Sequence, residues 1–111
     1  MDIKEIDKYI ERYFLAPYRI RILESRIDYE LAIKGKCSPK YTLEINSLYE
    51  YRGKIESIIG ADDLPKLQIL ILENKIVFEE FNLKKHQAWT YRKRIRSKIV
   101  EAINTNQLEV L

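Results

Sequence analysis

Apolar side chains at Ile3, Ile6, Ile10 and Tyr13 recur every three or four residues, the spacing that gathers them on one side of an α-helix, and Asp2 stands just ahead as an N-terminal cap. A second run with the same period, Ile20, Leu23, Ile27 and Leu31, carries the pattern to about Lys34. Pro17 falls between the two runs, so the spacing predicts one long helix kinked near Pro17 or two helices divided there. Gly35 and then Pro39 mark a stop and a loop. Beyond it, Ile45, Leu48, Ile55 and Ile58–Ile59 predict another helix of about 16 residues that ends at Gly60. A short polar loop makes the two helices antiparallel neighbours, with Glu24, Arg26, Glu50 and Arg52 on their wet faces.

Ala61-Asp62-Asp63-Leu64-Pro65 reads as a turn and a helix start, with Asp63 or its neighbour as the cap and Pro65 in the first turn. The apolar runs Leu67 to Leu72 and Ile76 to Phe78, separated by Glu73-Asn74-Lys75, suit two helices or a β-hairpin equally. Glu79-Glu80-Phe81-Asn82-Leu83 then supplies an acidic helix end, a residue tolerant of left-handed backbone, and an apolar anchor. That order is the syntax of a helix-turn-helix. From there Ala88, Tyr91, Ile95, Ile99 and Ala102 or Ile103 form one apolar stripe along a helix of about 20 residues, with Lys85, Trp89, Arg92, Lys93 and Arg96 facing outward.

Charge sharpens the picture. The 111-residue chain carries a net +3, yet Lys84, Lys85, Arg92, Lys93, Arg94, Arg96 and Lys98 give the segment from 84 to 98 seven positive charges and no acid. The remainder is therefore mildly acidic. One cationic segment on such a body is the distribution that phosphate neutralisation rewards, and it lacks the alternating acids of an ordinary solvated helix face. Were residues 84 to 98 folded as strands, or those arginines turned inward to neutralise the protein's own carboxylates, a nucleic-acid role for this segment would have no footing.

The stretch from about Leu64 to Ile103 resembles the region 4 helix-turn-helix of sigma factors, and more closely phage late-gene activators of the RinA and ArpU type. The resemblance is carried by the apolar run Leu67 to Leu72, the Glu79-Glu80-Phe81 helix end, the Asn82-Leu83 turn, and the Tyr91, Ile95, Ile99 spacing within the basic segment. Phe78 departs from it, standing where such motifs prefer a small residue. The resemblance favours helix over hairpin for residues 66 to 81 and implies transcription control of phage or prophage genes, with host RNA polymerase as a further partner.

The expected architecture is all-α: a helical hairpin over residues 1–60 for self-association or partner binding, then a helix-turn-helix region over 61–111 with a long basic recognition helix. Carried onto this chain, the first turns of that helix enter the major groove of double-stranded DNA, with Lys84, Lys85, His86, Gln87, Trp89 and Thr90 reading bases. Arg92, Lys93, Arg94, Arg96 and Lys98 are expected to hold phosphates. Trp89 has two readings, contact with a thymine methyl or sugar, and burial against the hairpin.

No catalytic centre, cofactor or metal site is expected. His86 is the sole histidine and Cys37 the sole cysteine, while Asp62-Asp63 and Glu79-Glu80 read as caps and solvated helix ends. The charged N-terminus and the lack of a long apolar run predict a soluble, cytoplasmic protein without a membrane partner. Two rival roles share these features: a small terminase subunit that recognises packaging-site DNA, and a phage-encoded inhibitor that grips a host or mobile-element protein. The eight tyrosines, concentrated in the hairpin, suit packing or a homo-oligomer surface.

Overall fold

A computed structural model describes residues 2–67 and 85–110 of the chain. The described residues contain three α-helices, α1 (Ile3–Lys34), α2 (Pro39–Ile59) and α3 (Lys85–Asn104), with a single 3-10 turn at Leu64–Lys66 and no strand. The choice between helix and hairpin for 68–78, the Phe78 departure, the 79–83 turn and Lys84 lie outside the described residues.

α1 starts where the sequence places it: Asp2 Oδ1 accepts the Glu5 backbone N–H at 2.8 Å. It is not divided at Pro17, but runs on for 32 residues, a length of about 48 Å at 1.5 Å per residue. A proline inside a helix has no N–H for the carbonyl four residues back, here that of Tyr13. Arg52 of α2 fills the gap, donating from Nη1 to Tyr13 O at 3.1 Å while its guanidinium lies 4.4 Å from the centre of the Tyr13 ring. Gly35 ends the helix at φ 74°, its N–H reaching Leu31 O at 3.0 Å.

α2 is longer than its apolar spacing implies, at 21 residues. Pro39 does not sit in the loop but opens the helix, behind Ser38, whose hydroxyl accepts from Lys40 N–H at 3.4 Å. Proline at the first helical position gives up an N–H that has no helical partner anyway. The helices pair antiparallel. Tyr51 Oη donates to Tyr9 O at 2.6 Å, Tyr13 Oη to Glu56 Oε1 at 2.8 Å, and Arg19 grips Glu44 at 3.1 to 3.3 Å.

The main core gathers Ile6, Tyr9, Ile10 and Tyr13 of α1, Ile55 and Ile59 of α2, Leu67, and Ile95, Ile99 and Ala102 of α3, closed by Leu108. Stretches from both sides of residue 60 thus build one interior. Ile55, Ile59, Ile95 and Ile99 are wholly buried, each contributing about 1.5–3 kcal/mol by leaving water. A smaller cluster, Ala16, Ile20, Leu23 and Leu48, with Tyr41 and Ile45 against it, holds the far half of the hairpin.

Candidate nucleic-acid interface

α3 divides into two sides as its spacing predicts. Ala88, Ile95, Ile99 and Ala102 are buried, whereas Gln87, Trp89, Thr90, Lys93 and Ser97 are exposed. Trp89 is 61% accessible, which decides between its two readings against burial under the hairpin. The Lys93 ammonium lies 5.3 Å from the centre of its ring. Lys85 and His86 occupy the first turn of the helix, and Arg92 is half-buried beside this face.

The flanks of α3 depart from expectation. Arg96 does not face outward: Nε and Nη2 donate to Asp7 of α1 at 3.0 and 2.9 Å. On the other flank Arg94 Nε donates to Asp63 Oδ2 at 2.8 Å, with Nη2 bonded to Oδ1. Lys98 Nζ adds bonds to Asp63 Oδ2 at 2.9 Å and to Ile59 O at 2.6 Å. Three of the five residues expected to hold phosphates are therefore engaged with the protein's own carboxylates. The cause is the cost of burying an unpaired carboxylate, which nearby cations relieve by turning toward it.

Asp63 stands at the cap position that the sequence predicts, but its carboxylate serves another purpose. Its side chain makes no cap bond to the following turn and is almost sealed from solvent, at 2% accessibility. The hydrogen bonds from Arg94, reinforced by Lys98, pull its carboxyl down to about 2 against the upward push of burial. The same contact holds Arg94 above its ordinary value. A signal for Asp7 existed, since it lies four residues after Ile3 and three before Ile10, on the edge of the buried stripe. For Asp63 the acid-free basic helix downstream was the hint.

The cationic character of α3 is reduced, not erased. Asp63 answers Arg94 and Lys98 together, and these two side chains remain 46% and 35% accessible. Tyr91 is tucked between Lys66 and Arg94, whose charged groups lie 4.3 and 4.8 Å from its ring centre. On the opposite flank, Ile3, Ile6, Trp89, Lys93 and Val100 border an open groove of about 540 Å³.

No protein family, curated protein or solved structure matches this chain. What the α3 face can do thus follows from its own chemistry. It carries an amide, two hydroxyls, an indole and an ammonium on the exposed side of one helix. Among the described residues no cluster of three or more His, Cys, Asp or Glu side chains is placed to hold a metal ion, and no helix is long and apolar enough to cross a membrane.

Proposed function

We propose that this protein is a DNA-binding regulator that lays the exposed side of α3 in the major groove. The observation that carries the reading is the alignment of Gln87, Trp89, Thr90, Lys93 and Ser97 on the solvent side of a helix whose other side is fixed in the core, within a segment free of acids from Lys84 to Lys98. A helix of this width fits the major groove, where the edges of all four base pairs differ. Gln87 has the donor and acceptor to pair with adenine, and Trp89 offers an apolar surface for a thymine methyl. Lys84, Lys85 and His86, which precede Gln87 in the sequence, are proposed to read bases with them.

The phosphate contacts are fewer than the basic residues. Arg96 is neutralised by Asp7, and Arg94 and Lys98 share one carboxylate, which leaves Lys93 and the surplus charge beside Asp63 as the cations for phosphate. Phosphate neutralisation at about two to four sites gives a salt slope of similar size, shallow for a DNA-binding protein. Transcription activation of phage or prophage genes, contact with host RNA polymerase, self-association through the hairpin and a cytoplasmic location belong to the same proposal.

A second reading draws on the inward arginines and the groove beside Trp89: an interaction module that receives a partner protein's apolar side chain there. Selection of bound fragments from a random DNA pool at two salt concentrations separates the two. Enrichment of one motif at both concentrations supports DNA reading. Sequence-blind retention that vanishes at the higher salt, or no retention at all, overturns it, and retained binding to RNA polymerase then selects the interaction module.

A further inference from the structure

The far half of α1 carries a second apolar stripe that no part of the described structure covers. Leu15, Tyr18, Ile22, Tyr29 and Ile33 are 62%, 64%, 49%, 66% and 66% accessible. Leu15, Ile22 and Tyr29 follow one another at seven residues, with Tyr18 three after Leu15 and Ile33 four after Tyr29. That is the seam of a coiled coil, in which apolar positions repeat every 3.5 residues on average. It points away from α2, because the side facing α2 is the separate row Ala16, Ile20, Leu23. Ser25, small and exposed, occupies the one seam position where the apolar repeat lapses.

We infer that this stripe is the interface with a second copy of the same chain, packed antiparallel along α1. The inference rests on the reading that the hairpin self-associates, and it names the surface and the direction. Setting Ile22 against Ser25 of the other copy places Tyr18 beside Tyr29 and Leu15 beside Ala32 and Ile33, twice over by the two-fold axis. The bordering charges choose the direction. In the antiparallel arrangement Arg21 of each copy falls opposite Asp28 of the other, and the Arg19 that approaches Arg26 is already bound to Glu44 of its own chain. In the parallel arrangement Arg21 meets Arg26 twice. The five side chains offer roughly 600 Å² per copy, about 1,200 Å² in all, which reaches the lower edge of a standard stable interface.

Sedimentation of the whole chain over a micromolar concentration range tests this. The expected result is a concentration-dependent dimer that Ile22→Lys converts to a monomer with unchanged helix content, since Ile22 lies outside both cores. Arg21→Glu is expected to weaken the dimer at least tenfold and Arg21→Glu with Asp28→Arg to restore it. Direction is read in a Cys37→Ser background by mixing a Tyr18→Cys chain with a Tyr29→Cys chain of different mass: antiparallel packing oxidises to the mixed disulfide, parallel packing to like pairs. A dimer indifferent to Ile22→Lys, or one that yields only like pairs, overturns the interface while leaving self-association intact. A monomer throughout the range overturns both.

Discussion

Arg96 holds Asp7 through two parallel hydrogen bonds across 89 residues of sequence, which ties the first turns of α1 to the middle of α3. Both side chains are largely shielded, at 23% and 19% accessibility. A fork of this kind fixes the rotation of α3 about its own axis as well as its distance from α1.

Asp7→Ala and Arg96→Ala are each expected to lower stability by about 1–2 kcal/mol, and the double variant by little more than either alone. Urea unfolding of the four proteins gives the coupling, and strictly additive losses would mean that the pair contributes nothing. Affinity of Arg96→Ala for DNA is expected to stay within about threefold of the parent at temperatures where both are folded, because this arginine already has its anion.

Asp63 makes stability depend on acid. Its carboxyl is depressed from 3.8 to about 2 in the folded chain, so its contribution is complete above the unfolded value and is lost as pH falls through 3.8 toward 2. The loss amounts to about 2 kcal/mol. Asp63→Asn is expected to remove this pH dependence and to cost about 2–3 kcal/mol at neutral pH, since Arg94 and Lys98 then face a neutral amide. Urea midpoints between pH 2 and 6 for both proteins check it. Parallel curves would exclude Asp63 as the titrating group.

Arg52 and Pro17 form a compensating pair through the Tyr13 carbonyl. Arg52→Ala leaves that carbonyl without its donor and is expected to cost about 1–3 kcal/mol. Pro17→Ala restores a backbone N–H at the same place, so its benefit is expected to be larger in the Arg52→Ala background than in the parent. Equal effects of Pro17→Ala in the two backgrounds would break the link.

The position of Trp89, the one tryptophan in the chain, makes it a direct reporter. Its emission is expected near that of a water-exposed indole and to shift or quench when DNA is added. Trp89→Ala is expected to change stability by less than about 0.5 kcal/mol yet to weaken DNA binding about tenfold, equivalent to about 1.4 kcal/mol. An unchanged spectrum at saturating DNA would remove Trp89 from the contact.

The helices were legible where local spacing and caps decide them. Asp2, Gly35 and Gly60 end their helices as their chemistry demands, and the stripe Ala88, Ile95, Ile99 is buried as its period requires. At Pro17 the spacing leaves a long helix and a division both open, and the helix runs through because Arg52, 35 residues downstream, donates to the carbonyl that the proline abandons. Pro39 misled because a proline reads alike in a loop and at a helix start. The inward turn of Arg94, Arg96 and Lys98 was hidden for the same tertiary reason, since their partners Asp63 and Asp7 are brought near by folding alone. What the sequence showed of the α3 face is its composition; what it concealed is how much of that charge the protein keeps for itself.

The two cores differ in depth, and so should the ease with which the backbone opens. Within one copy and among the described residues, the root of the hairpin is locked by side chains from α1, α2 and α3, whereas beyond Leu23 α1 leans on α2. At concentrations where the chain is a monomer, amide protons should therefore exchange in a gradient along α1, slowest near Ile10 and fastest near Lys34. A long helix of this kind has a firm base and a pliant tip, able to breathe at one end without loosening the other.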